Sequence, residues 1–203
     1  MGPELTVDRL VSQSLQESIA IKQELLEDED YQLRVSALGH AMAMALASGH
    51  KVIFFGNGGS AADAQHLAAE LTGRYMMERR GLAGLALTVN TSALTAISND
   101  YSYEMVFARQ IDALGCPGDV AIGISTSGKS ANVVRAMEVA RAKGMITAAL
   151  TGRTGGQLVT AVDHCIRIPS ACTPRIQEAH ILSGHILCEI VERQLFTKQG
   201  SAF

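Results

Sequence analysis

The stretch KVIFFGNGGS, residues 51–60, decides the fold of this 203-residue chain. Its apolar part, VIFF at 52–55, is short and continuous, which is typical of a β-strand covered on both faces. Glycines end this run directly, and the Ala- and Leu-rich segment that follows has the composition of a helix. A buried strand that turns at once into a helix predicts the first unit of a parallel α/β fold.

The same alternation of strand and helix recurs along the rest of the chain. Further strands are predicted at 82–89, 119–125, 145–152 and 165–169. Helices are predicted near 101–114, near 130–143, as a short segment after Gly155-Gly156, and as a long closing helix over 174–196. This order predicts one five-stranded parallel sheet with helices on both faces, a three-layer α/β/α sandwich.

Two helices precede this unit. Apolar residues recur at helical spacing over 5–28, and a second helix is predicted over 30–48, ending at Gly49. We expect residues 1–50 to serve packing and oligomerisation through their remaining apolar surface. Residues 51–203 form the core that carries the chemistry, within one structural domain overall.

Composition excludes several classes of protein. The chain is 47% hydrophobic and 18% charged, which excludes a disordered chain. It has no uncharged apolar run long enough to span a membrane, and its first residues are not expected to act as a secretory signal. A net charge of −3 disfavours nucleic-acid binding. The four cysteines form no CxxC pair, so we expect reduced thiols in a cytoplasmic protein. From charge and hydropathy we expect neither nucleic acid nor a membrane as partner.

Three predicted strand ends carry small polar residues, where ligands bind in open parallel sheets. Gly56–Ser60 offers backbone N–H groups and a helix N-terminus, although it fits neither GxGxxG nor the ATP-binding phosphate loop, and a plain turn capped by Ser60 is the alternative. Ser125–Ser130 supplies four hydroxyls and one lysine, which suits a phosphate monoester, with a simple N-cap as the alternative. Ser98–Asp100 suits a polar turn or sugar hydroxyls.

Two helices add ionisable groups. His66 and Glu70 are four residues apart and share one helix face. Gln177, His180 and His185 lie on the closing helix, where Gly184 permits the close approach of another backbone or a ligand. A histidine on such an apolar helix often has only a structural role. These side chains are also plausible zinc ligands, although ligation by a carboxamide is uncommon.

The blocks GNGGSAADAQHLAAEL, SND, STSGKSANV, LTGRTGG and RIQEAHILSGHILCE together resemble the bacterial phosphoheptose isomerases, within the sugar isomerase (SIS) domain family. The resemblance implies a single SIS domain with flavodoxin-like strand order, a homotetramer, and interconversion of D-sedoheptulose 7-phosphate and D-glycero-D-manno-heptose 7-phosphate. That reaction is the first step of ADP- or GDP-heptose biosynthesis, for example for the lipopolysaccharide core.

The resemblance also assigns residues, and the chain departs from the family pattern at none of them. It implies Glu70 and His185 as the catalytic acid–base pair. It implies a zinc ion, one per subunit, on His66, Glu70, Gln177 and His185. Substrate contacts are implied for Asn57, Gly58, Gly59, Glu70, Asn99, Asp100 and Gln177, and phosphate contacts for Ser125, Thr126, Ser127 and Ser130.

Aldose–ketose isomerisation needs one base for carbon and one group that moves protons between oxygens. A carboxylate and an imidazole suffice, so Glu70 is expected to act on carbon and His185 on oxygen. Zinc would stabilise the enediolate, although a zinc-bound carboxylate is a poorer base. Gln177 and His185 are eight residues apart, a helical rise of about 12 Å. We therefore expect the site to lie at a subunit interface and to mix groups from different chains.

Two alternatives remain at the level of sequence. Some close relatives in the SIS family are non-catalytic adapters that bind the replication initiator, and these relatives lack Glu and His at the positions of Glu70 and His185. The phosphate loop alone also fits an SIS isomerase acting on another sugar phosphate, such as a hexulose or arabinose phosphate. Turnover of sedoheptulose 7-phosphate separates the adapter from the enzyme.

Overall fold

A computed structural model describes residues 7–197. The helix start predicted at residue 5 lies outside the described residues. So do residues 1–6 of the predicted N-terminal region and residues 198–203 of the predicted core region. The core is one parallel sheet in the order β2-β1-β3-β4-β5, the flavodoxin-like order. Its strands are β1 Val52–Gly56, β2 Gly84–Ala86, β3 Val120–Ser125, β4 Ile146–Thr151 and β5 His164–Arg167. The predicted α/β class and five parallel strands are confirmed.

Helices cover both faces of the sheet. They are α1 Val7–Glu27, α2 Glu29–Ala47, α3 Gly59–Thr72, α4 Thr91–Asp100, α5 Val106–Leu114, α6 Ala131–Ala142, α7 Leu158–Ala161 and α8 Thr173–Phe196. None of these described helices has the length and apolar character needed to cross a bilayer.

Strand β1 shows why the core has two halves. Val52 and Phe54 point into the apolar cluster formed with α2, α3 and α8, whereas Ile53 and Phe55 point into the cluster formed with α5 and α6. All four side chains are buried, which explains the continuous apolar run in the sequence.

The region after β1 and α3 differs from the prediction. The strand predicted at 82–89 is only the three-residue edge strand β2, and the predicted polar loop around Ser98–Asp100 is the last turn of α4. Helix α4 begins because the Asn90 side chain accepts a hydrogen bond from the Ala93 N–H at 3.0 Å. Within the helix, the Ser98 hydroxyl donates to the Leu94 carbonyl at 2.7 Å. Sequence alone does not separate these helical roles of Asn and Ser from a loop. The helix predicted at 101–114 is a 3-10 turn, Tyr103–Met105, followed by α5.

The two N-terminal helices differ in burial. Leu38 and Met42 of α2 are fully buried in the cluster that holds Phe54, so this helix is part of the core. Helix α1 lies outside, where Leu15 and Ile19 are 60% and 65% exposed. An apolar stripe therefore runs along the outer face of α1.

Candidate active site

The glycine-rich turn brings β1 to α3 with little steric bulk. Gly58 has a φ of 57°, a conformation that favours glycine. Gly59 opens α3, and a Cβ there would displace the Gln177 amide of α8, which packs against it. The Asn57 amide exchanges two 2.9 Å hydrogen bonds with Asn132 at the start of α6. The turn is therefore preorganised between the starts of α3 and α6.

The hydroxyl-rich loop lies at the end of the neighbouring strand, β3. The Ser125 and Ser130 hydroxyls are 2.9 Å apart, and Ser127 accepts a hydrogen bond from the Lys129 N–H at 3.1 Å. Gly128 turns the chain with a φ of 64°. Helix α6 starts just after Ser130, and its first amides can bind an anion together with these hydroxyls.

The loop after β4 closes this region. Gly152 N–H donates to the Thr126 carbonyl at 3.0 Å, and Gln157 N–H donates to the Gly128 carbonyl at 2.9 Å. A cavity of about 240 Å³ opens between the two loops. It is lined by Thr126, Ser127, Lys129, Arg153, Thr154, Ser170, Ala171, Thr173 and Ile176. Hydroxyls with two cations in one small cavity suit a phosphate group.

A second cluster lies farther along α3. His66 Nε2 is 3.1 Å from Glu70 Oε1 and 2.9 Å from His185 Nε2 of α8. The predicted i,i+4 pairing of His66 and Glu70 is present, and Gly184 lets α8 approach because it packs directly on Leu67 of α3. Burial and the neighbouring His66 lower the pKa of His185, while Glu70 opposes that shift.

The donor atoms of this cluster fit a metal ion. His66, Glu70 and His185 each offer one ligand atom, and these atoms lie within 4.8 Å of one another. Zinc bonds of about 2.0–2.1 Å in a tetrahedron place ligand atoms about 3.3 Å apart. The separations of 2.9 and 3.1 Å are close to that edge. Two imidazoles and one carboxylate are a donor set that catalytic zinc sites use.

The remaining predicted residues are divided between two places. The structure brings together three of the four predicted ligands, His66, Glu70 and His185. The fourth, Gln177, lies with its amide against Gly59 in the glycine turn, about 10 Å of helical rise before His66 on α3. Asn99 and Asp100 are exposed at the end of α4, where Asn99 donates to Asp100 at 2.9 Å. They precede the 3-10 turn whose Tyr103 hydroxyl donates to Asn57 at 3.0 Å.

Sequence reasoning missed several residues of this region. Arg153 lines the phosphate-sized cavity, and its position after the LTG block was the available signal. Tyr75 stacks on His185, with ring centroids 5.5 Å apart, and nothing in the local pattern marks it. Asp63, one turn before His66, is partly buried, and burial raises the pKa of its carboxyl to about 6 against the opposing effect of His66.

The parallel sheet, the two polar loops at adjacent strand ends and the helix-borne carboxylate and imidazoles define a sugar isomerase domain. The model of the SIS domain matches residues 15–152. The chain is 50% identical over 182 residues to phosphoheptose isomerase 2 of Campylobacter jejuni, covering 90% of each chain.

Solved structures agree with this relationship. A phosphoheptose isomerase from Neisseria gonorrhoeae superposes with a TM-score of 0.85 at 44% identity, over 92% of this chain and 99% of that one. One from Francisella tularensis superposes with a TM-score of 0.88 at 35% identity, over 93% and 99%. The chain therefore belongs to the SIS domain family and, within it, to the phosphoheptose isomerases.

Proposed function

We propose that this protein is an aldose–ketose isomerase that interconverts D-sedoheptulose 7-phosphate and D-glycero-D-manno-heptose 7-phosphate. The observation that carries the proposal is the pairing of Glu70 with His185 in one cluster, in a chain with about half of its residues in common with phosphoheptose isomerases. A carboxylate and an imidazole are the two proton carriers that the reaction needs. An adapter without catalysis has no use for this pair.

The substrate phosphate binds in the cavity between the β3 and β4 loops. Thr126 and Ser127 line that cavity and supply hydroxyls, and Lys129 and Arg153 supply positive charge. Ser125 and Ser130 do not line it and are proposed to reach the phosphate from the end of β3 and the start of α6. The sugar then extends past Asn57 and the glycine turn toward the cluster on α3 and α8. Gln177 is proposed to contact sugar hydroxyls because its amide lies against Gly59 in the glycine turn. Asn99 and Asp100 are proposed to do the same because they lie just before Tyr103, whose hydroxyl donates to Asn57.

Glu70 has one oxygen free to act as the base. Its Oε1 faces His66 at 3.1 Å, whereas Oε2 has no hydrogen bond from any residue in 7–197. Starting from the ketose, Glu70 removes a proton from C1, and the C–H electron pair forms the C1–C2 double bond. His185 gives a proton to the C2 oxygen. It then takes the proton from the C1 oxygen, the C1 carbonyl forms, and Glu70 returns its proton to C2.

We propose that His66, Glu70 and His185 hold zinc, with Gln177 as the fourth protein ligand. When bound, zinc would polarise the substrate carbonyl and stabilise negative charge on oxygen. Ligation through Oε1 of Glu70 and Nε2 of His185 leaves Oε2 and Nδ1 for proton transfer, which reconciles the two roles of each side chain. Gln177 lies at the glycine turn, about 10 Å of helical rise from His66, so it is too far away to join the cluster of its own chain. We therefore propose that the complete site includes groups from a neighbouring subunit.

The proposed assembly is a homotetramer. The apolar stripe on α1, which includes Leu10, Val11, Leu15 and Ile19, is exposed in the single chain and suits burial against a second copy. Light scattering on the purified protein tests this: a four-chain mass supports the proposal, and a monomer contradicts it.

The proposed location is the cytoplasm, where the enzyme performs the first step of ADP- or GDP-heptose synthesis. All four cysteines are free thiols, and Cys165 and Cys188 are buried, which suits a reducing compartment.

An assay of sedoheptulose 7-phosphate turnover, before and after chelation, tests function and metal together. Turnover that chelation removes and zinc restores supports both parts of the proposal. Turnover that resists chelation contradicts the metal and leaves the isomerase. No turnover of this ketose, but turnover of a five- or six-carbon ketose phosphate, assigns the chain to another SIS isomerase.

A further inference from the structure

The segment between α3 and β2 is anchored by a buried carboxylate. Glu192 of α8 accepts hydrogen bonds from the N–H groups of Tyr75, Met76 and Met77 at 2.8, 2.8 and 2.9 Å. It also accepts from Arg79 Nε at 2.8 Å, and both charged side chains are only 1% exposed. These donors hold the pKa of Glu192 below its usual value, despite the cost of burial.

Arg79 ties the same segment to the helix that carries Glu70. Its Nη2 donates to the Glu70 carbonyl at 2.8 Å, and its Nη1 donates to the carbonyls of Leu71 and Gly73 at 2.9 and 3.0 Å. These carbonyls end α3 and lack helical partners, so the guanidinium completes their hydrogen bonding. A single ion pair thus joins the end of α3 to α8, two turns after His185.

The backbone anchored in this way places Tyr75 against the active-site imidazole. The Tyr75 ring lies over the His185 ring with centroids 5.5 Å apart and planes 29° apart. His185 also meets the His66 ring edge-on, at 5.1 Å and 67°. The Tyr75 hydroxyl has no hydrogen bond within residues 7–197, so the ring face is what this residue offers.

We propose that Tyr75, held by the buried Glu192–Arg79 pair, is a positioning residue that fixes the orientation of the His185 imidazole. This inference rests on the proposed function, because it gives His185 a defined task. An imidazole that moves protons between two adjacent oxygens must keep the same ring nitrogen within reach of both. A misplacement of about 1 Å at such a group can lower the rate about a hundredfold. The stacked Tyr75 ring and its anchored backbone prevent the rotation of the His185 imidazole that would cause such a misplacement.

Three variants test the role of the ring. Tyr75→Phe keeps the stacking face and removes the hydroxyl, and Tyr75→Leu removes the face. Tyr31→Leu is the matched control, because Tyr31 also packs on α8 but meets Ser183 at 2.8 Å instead of His185. We expect Tyr75→Leu to lower kcat at least tenfold with KM within twofold of the parent. We expect Tyr75→Phe and Tyr31→Leu to keep kcat within threefold.

A readout independent of turnover separates this inference from the proposed function. With histidines labelled with carbon-13, the ring current of Tyr75 shifts the His185 ring protons in the NMR spectrum. We expect Tyr75→Phe to retain that shift and Tyr75→Leu to lose it. A parent protein that shows the shift but turns over no sugar phosphate overturns the proposed function alone. An unchanged kcat in a folded Tyr75→Leu protein, or a Phe variant as slow as the Leu variant, overturns the positioning role.

Glu192→Gln tests the anchor. It leaves Arg79 buried without its charge partner, so we expect a lower melting temperature and a lower kcat. If the pair acts through Tyr75, the double variant Tyr75→Leu/Glu192→Gln loses no more kcat than the larger of the two single losses. Losses that multiply contradict that route. Should Glu192→Gln fail to fold, the Tyr75 variants still decide the inference.

Discussion

A methyl group added at Gly184 tests whether the spacing of α3 and α8 sets the geometry of the active site. An alanine Cβ there would lie 2.5 Å from Leu67 Cδ2 and 2.6 Å from Cδ1. Carbon atoms need about 3.5 Å, so the contact is short by about 1 Å. Leu67 is 1% exposed in a close-packed core, so its side chain cannot rotate away freely. The helices must separate instead.

The expected magnitude follows from that separation. Moving α8 by about 1 Å lengthens the 2.9 Å separation of His66 and His185 to about 4 Å. Overpacking costs about 1–3 kcal/mol of unfolding free energy, which corresponds to a fall in Tm of about 2–12 °C. A displacement of this size predicts a loss of kcat of roughly tenfold to a hundredfold. Calorimetry at fixed protein concentration and initial-rate kinetics measure the two effects.

Gly39→Ala is the matched control for Gly184→Ala. Its Cβ would lie 2.7 Å from Ile190 Cγ2, so it crowds the same helix α8 from α2. It should lower Tm by a similar amount and leave kcat within threefold. Equal losses of kcat in the two variants would show that any crowding of α8 disturbs catalysis, and would refute the reasoning from the His66–His185 spacing.

Glu70→Gln keeps the shape of the side chain but removes the base, so kcat falls at least about a hundredfold while the oligomer stays intact; His185→Asn likewise nearly abolishes isomerisation, and near-normal rates in either variant contradict its role. Ser127→Ala and Ser130→Ala raise KM more than they lower kcat, because the phosphate is remote from the reacting carbons; steady-state kinetics that show normal KM in both variants place the phosphate elsewhere. His180 is fully buried, and burial lowers its pKa to about 4 from 6.5, an effect larger than the opposing contact with the Thr151 backbone. Because the imidazole binds its proton at a higher pH in the unfolded chain than in the folded one, the unfolding free energy falls by roughly 3 kcal/mol as pH drops from 6.5 to 4. His180→Asn removes that part of the pH dependence and has only a mild effect on kcat. A variant whose denaturation profile against pH matches that of the parent would refute this role of His180.

The sequence by itself determined the fold class and most of the strand positions. The run at 52–55 is apolar without interruption because both faces of β1 are buried, and periodicity reports burial directly. The two loops after β1 and β3 were visible because glycine and hydroxyl residues cluster where strands end. His66 and Glu70 were paired correctly because four residues along a helix always share a face.

Only the tertiary structure decided how distant segments meet. It placed His185 at 2.9 Å from His66, put the Gln177 amide against Gly59, and turned the segment around Ser98–Asp100 into the end of a helix. It also brought Tyr75 onto His185 through a carboxylate more than a hundred residues away in sequence. Such contacts leave no local pattern, because they depend on how closely two helices pack and on which buried charge needs a partner.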